Sequence, residues 1–313
     1  MPRRIRFVPE EGTLFEITTR TFQGRFLLVP SAELNEIILG ALGRAQRRYG
    51  VRLCAYAFLS NHLHLLARAR DAEQLAGFMC HFSSKLAREV SRRTGWTSKI
   101  WDRRYQAIGV SDEEAAQVER LTYVLSNGVK ELLVERVRDW PGVHCAAALL
   151  DDRPDEGTWF DRTQEYCARH RNESFSERQF ASRETVVLEP IPCWEHLPQR
   201  EIRSRIGAIV EQIEADAARV REDEGKTVLG AAAVLAQNPT EQPAHLKRSP
   251  APMFHAFTRR ASRELREAYH HFLAAFRDAA AQLRGGDRSA RFPLGSFPPA
   301  LPFVTSLPAI LSG

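Results

Sequence analysis

Alternation of apolar and polar positions marks "TLFEITTRTF" (13–22) as a half-buried strand. The spacing then changes to a helical one in "SAELNEIILGALGRAQRRYG" (31–50), which opens on a serine cap and closes with arginines followed by glycine. Two strand-like runs, "VRLCAYAFLS" and "HLHLLARA", flank the Ser60-Asn61 pair and predict a hairpin. "AEQLAGFMCHFSSKLAREVSRR" (72–93) is a second amphipathic helix, and "IWDRRYQAIGV" (100–110) a further strand. "SDEEAAQVERLTYVLSN" (111–127) predicts a third helix, with Ser111 and Glu114 as a capping box and Asp112 and Glu113 at the positive end of its dipole. The order strand, helix, hairpin, helix, strand, helix predicts an α+β fold with helices packed on an antiparallel sheet.

The pattern changes after "DDRPDEG" (151–157). Irregular segments follow, then helices near 199–222 and 258–284, separated by the Pro-rich "NPTEQPAHLKRSPAP" and followed by the extended "RFPLGSFPPALPFV". The expected organisation is one domain over 1–150 and a largely helical extension over 151–313, with Pro-rich linker and tail.

Composition narrows the function classes. No apolar run reaches the roughly 18–20 residues of a membrane span, and the basic start lacks the apolar core of a signal peptide, so a cytoplasmic protein is expected. The five cysteines are scattered, which excludes a zinc-finger spacing and a disulfide framework. The first 150 residues carry 22 Lys/Arg against 16 Asp/Glu, a balance of +6. The remainder carry 22 against 23, a balance of −1, so the whole basic excess lies in the first half, a bias that suits a polyanionic partner and also describes many ordinary enzymes.

Candidate chemistry sits in "SNHLHLLARA" (60–69). On a strand His62 and His64 project to one face and Leu63 and Leu65 to the other. The two imidazoles either share one metal ion or are satisfied separately by local hydrogen bonds. On the third helix Val118, Leu121 and Leu125 form an apolar stripe, leaving Tyr123 and Asn127, one turn apart, on another face. Asn127 offers a carbonyl oxygen to a metal beside the Tyr123 hydroxyl; alternatively Tyr123 anchors a loop and Asn127-Gly128 ends the helix. Between the motifs, residues 81–105 interleave Lys85, Arg88, Arg92, Arg93, Lys99, Arg103 and Arg104 with Trp96, Trp101 and Tyr105. That composition suits single-stranded or hairpin DNA, although part of it is the wet face of a helix. Trp101, Arg103 and Arg104 are the first choice of contacts, with Arg92, Arg93 and Lys99 beside them; Arg3, Arg4 and Arg6 offer a basic arm. His270 and His271 are adjacent on a helix, do not share a face, and make a poor metal pair.

"SNHLHLL" resembles the HUH motif of single-tyrosine, single-strand transposases, and "YVLSNGVKELLVERVRDWPGVH" (123–144) resembles the segment of REP-associated tyrosine transposases that begins with their nucleophile. "MPRRIRF…FEITTR" and "IWDRRYQAIGVSDEE" are similar to the same family, so the likeness runs to about residue 145. It departs at Asn127-Gly128, where the family commonly has Asn-Pro. The resemblance implies a ferredoxin-like antiparallel sheet with the histidines on a central strand. It implies Tyr123 as nucleophile, His62 and His64 as metal ligands, Asn127 as a further polar ligand, and Mg²⁺ or Mn²⁺ as the ion. The implied reaction cuts and rejoins single-stranded or hairpin DNA through a 5′-phosphotyrosine. Glu119, one turn before Tyr123, is a candidate base or simply a solvated glutamate. A domesticated repeat-hairpin binder and an unrelated metal-dependent hydrolase are the competing readings. Monomer and homodimer both remain open.

Overall fold

The computed structural model describes residues 7–171, 174–244, 252–293 and 296; the basic arm at Arg3, Arg4 and Arg6 and most of the Pro-rich tail lie outside them. The first half runs β1 (Thr13–Arg20), α1 (Ala32–Tyr49), β2 (Arg52–Leu59), β3 (His62–Ala69), α2 (Ala72–Thr94), β4 (Gln106–Val110) and α3 (Glu114–Leu125). Beyond residue 145 follow α4 (Ala146–Asp151), β5 (Asp155–Phe160), α5 (Arg162–His170), β6 (Ala181–Val186), α6 (Gln199–Glu224), α7 (Ala231–Leu235), β7 (Phe254–His255) and α8 (Arg259–Arg284).

Local chemistry sets the boundaries. Ser31 accepts the Leu34 amide at 3.1 Å at the start of α1, and Gly50 ends it in the left-handed region at φ 66°. Asp71 caps α2 in the same way through the Gln74 amide. The third helix behaves differently from the predicted capping box. It begins later, at Glu114, and the Ser111 hydroxyl donates to Glu113 instead of meeting a backbone amide. The strand expected over 100–110 is shortened to β4, because Trp101 bridges Thr21 on its own and residues 102–105 bend away.

The sheet has the order β2-β3-β1-β4-β7. The first four strands are antiparallel and in the expected ferredoxin-like order, while β7 joins β4 in parallel through Gly109↔Phe254 and Val110↔His255. Leu63, Leu65, Ile17 and Phe15 are buried between the sheet and the α1–α2 layer. α3 crosses the opposite face, against β2, β3 and β4, with α6 packed outside it.

A second sheet, the antiparallel pair β5–β6, lies against α1. The contact is backbone to backbone: a Cβ on Gly40 would stand 2.1 Å from the Thr158 carbonyl oxygen, and one on Gly157 2.2 Å from the Gly40 nitrogen. Buried side chains on both sides of residue 150, among them Leu121, Trp159, Trp194 and Ile206, form one continuous core. No helix among the described residues is long and apolar enough to cross a membrane.

Candidate active site

The register of β1 on β3 opposes Thr18 to His64 and Arg20 to His62, so Glu16, Thr18 and Arg20 share a sheet face with both histidines. α3 lies on that face. The His62 and His64 rings are 5.1 Å apart edge to face, and the Tyr123 ring stands 5.2 Å from His64. Two segments distant in sequence thus meet. Tyr123 is on the sheet side of α3, while Val124 and Leu125 are fully buried and Leu121 nearly so. Val124 is a core position that the predicted stripe lacked.

Each imidazole already uses one nitrogen. His62 Nδ1 lies 2.6 Å from Asn61 Oδ1, and His64 Nδ1 lies 3.3 Å from Glu16 Oε1. An engaged Nδ1–H leaves the Nε2 lone pair of each ring as the atom able to bind an ion. Burial and the charges of His64, Arg20 and Lys130 hold His62 well below its ordinary pKa, which keeps it neutral, as a ligand must be. Asn127 is buried, and its Nδ2 donates to the Tyr123 and Val124 carbonyls at 2.9 and 3.0 Å. Its Oδ1 is buried with no hydrogen-bond partner, an oxygen of the type that Mg²⁺ or Mn²⁺ prefers. Two imidazole nitrogens on one strand face and an unpartnered amide oxygen on α3 are donor types that a divalent ion takes, with phosphate and water completing its shell. Among the described residues no group of three or more His, Cys, Asp or Glu side chains is arranged to hold a metal.

The surroundings of Tyr123 were not visible in the sequence. Burial raises the Tyr123 phenol above its ordinary pKa, with Glu16 and Glu131 adding to the rise and Arg120 and Arg20 opposing it. Lys130 Nζ sits 3.2 Å from the Tyr123 ring centroid, and the Arg120 guanidinium carbon 5.0 Å from it. Glu119 is exposed and ion-paired with Arg120, the solvated-glutamate alternative. Glu16 is the hub. Burial opposes its ionisation, but contacts from His255 and His64 outweigh this and hold the carboxyl well below the carboxylate range. Its Oε2 lies 2.8 Å from His255 Nε2 and 3.4 Å from Arg120 Nη1. In the sequence Glu16 reads as one polar position of an alternating strand; only the β1–β3 register puts it beside His64.

The predicted DNA contacts divide. Asp102 N donates to Arg20 O and Thr21 N to Asn61 O, so the 101–104 segment runs beside the His62 end of the sheet. Arg103 and Arg104 are exposed there, Arg103 with Asp102 at 3.3 Å. Lys99 is also exposed, its Nζ 4.5 Å from the Phe22 ring centroid. Trp101 is half-buried and donates from Nε1 to Ser83 O at 2.9 Å, which leaves its ring on the core. Arg92 pairs with Glu165, and Arg93 with Glu89 and Glu33, so these two are committed within the chain.

Residues 29–126 match the family model of IS200-like transposases. No curated protein matches the chain. One similar solved structure is a REP-associated tyrosine transposase bound to a REP hairpin: 17% identity, TM-score 0.35, 45% of this chain and 81% of that one. A second is a candidate transposase from Deinococcus radiodurans R1: 18% identity, TM-score 0.28, 39% of this chain and 96% of that one.

Proposed function

We propose that this chain, whose residues 29–126 match the family model of IS200-like transposases, is a divalent-metal-dependent tyrosine transposase that cuts and rejoins single-stranded or hairpin DNA. The observation that carries the reading is the 5.2 Å approach of the Tyr123 and His64 rings, with His62 5.1 Å further on the same strand face. A pure binding module has no need of a phenol beside two imidazoles with free Nε2 atoms.

In this reading Tyr123 Oη forms a bond to the scissile phosphorus while the bond to the 3′ oxygen breaks. The phenol loses its proton and the leaving 3′ oxygen gains one, leaving a 5′-phosphotyrosine and a free 3′ hydroxyl. Attack by a 3′ hydroxyl on the phosphotyrosine reverses the step, so bond energy is kept and no nucleotide triphosphate is spent. Because the phenol is raised by burial, Tyr123 attacks from its neutral form unless positive charge favours the anion. Arg120, 5.0 Å from its ring, and Arg20 supply that charge. His62, His64 and Asn127 Oδ1 would hold the Mg²⁺ or Mn²⁺, which when bound polarises a non-bridging phosphate oxygen. Arg103, Arg104 and Lys99 would track the phosphates beside the His62 end.

The test is incubation of labelled hairpin and single-stranded DNA with the protein and Mn²⁺ or Mg²⁺. A denaturing gel should show a covalent adduct, and Tyr123→Phe or EDTA should abolish it. Binding of hairpins without any adduct would favour a domesticated hairpin binder. Adducts persisting in Tyr123→Phe would remove Tyr123 from the reaction.

A further inference from the structure

We propose that the segment after residue 150 completes the candidate site: His255, on β7, is a positioning residue that fixes Glu16 and, through it, the orientation of His64. This rests on the reading above, in which His64 is a ligand. Glu16 is 4% exposed, and a carboxylate taken so far from water persists only when its oxygens are met. One oxygen faces His64 Nδ1; the other faces His255 and Arg120. The outer partner of a ligating imidazole decides which nitrogen stays free and how the ring is turned. Here that partner is itself held by a residue more than 190 positions along the chain from His64.

The segment carrying His255 is anchored independently. Ser111 N donates to His255 O at 2.8 Å, and the Glu113 carboxylate accepts from Phe257 N and Thr258 N at 2.8 and 3.1 Å. The Phe254 ring packs on Phe7 and Tyr269 and lies over Gly109, where a Cβ would stand 3.2 Å from it. With its backbone fixed at both ends and its side chain only 14% exposed, His255 holds Nε2 2.8 Å from Glu16 Oε2, an ion-pair approach outside hydrogen-bond geometry. A segment that only closed a sheet edge would need no imidazole there.

The test uses full-length protein and Mn²⁺ alone, read by the electron paramagnetic resonance signal of free Mn²⁺, with thermal melting alongside. His255→Leu should weaken Mn²⁺ binding on the order of tenfold, the lower end for outer-shell partners. His255→Gln, whose amide nitrogen can stand where Nε2 stands, should restore most of it. Should His255→Leu not fold, His255→Asn keeps polarity but falls short of Glu16, and should also bind Mn²⁺ weakly. Unchanged Mn²⁺ affinity with a lowered melting temperature would overturn the proposal and leave His255 as a staple. Tyr123→Phe should lose the DNA adduct yet bind Mn²⁺ normally. A wild type that binds Mn²⁺ but forms no adduct would sink the nucleophile assignment and leave the His255 result standing.

Discussion

His144 shows how one side chain ties stability to pH. It is pushed down to about 4 by burial, so it is neutral in the folded protein at pH 7. Its Nδ1 accepts the Ala146 amide at 3.1 Å, a contact that protonation would remove. In the unfolded chain the same ring takes up its proton near 6.5. Between about 6.5 and 4 the unfolded state therefore binds more protons than the folded one, and stability falls as pH falls. From this group alone the loss should approach ~3 kcal/mol by pH 4. His144→Gln should flatten that slope in denaturant unfolding measured across the range. His81, also lowered to about 4 chiefly by burial, acts in the same direction and would leave a residual slope.

Among elements, the longer ones were legible and the short ones were not. α1, the β2–β3 hairpin and α2 carry periodicity, caps and a left-handed glycine, and they lie within a residue or so of expectation. β7 is two residues long and has no period to read; it exists because Gly109 makes room for Phe254 and Glu113 holds the backbone beyond it. The predicted dipole residue Glu113 therefore serves a later segment. Gly128 is another case. It sits at φ 92°, and its N–H donates to Glu131 Oε2 at 2.8 Å, two demands that the family's proline cannot meet. Asn127 keeps its place at this helix end while the turn after it is built differently. The α1–β5 contact gives a direct check: Gly157→Ala would put a Cβ 2.3 Å from the Glu36 carbonyl oxygen. It should lower stability by about 1–3 kcal/mol or more, as overpacking does, seen as a lower melting temperature.

At the scale of the whole molecule, the candidate site was half visible. Tyr123, His62 and His64 stood out as residue types in two motifs, and the fold brings those motifs together. Glu16, Arg120, Lys130 and His255 were hidden because their roles depend on strand register and on a long-range return of the chain. That return has a further consequence for the sheet. Its β4 side is taken by residues 254 and 255, and its β2 side by Phe58 N to Val143 O, Cys145 N to Tyr56 O and Glu189 N to Leu53 O. Among the described residues both borders of the sheet thus meet the protein's own later segments over part of their length. Tyr123 already meets His64 within one chain, so no second copy need supply the tyrosine. Each chain should cut with its own tyrosine. Mixing Tyr123→Phe with a His62→Ala, His64→Ala chain should accordingly yield no covalent DNA adduct, whereas trans-complementation between the two would restore it.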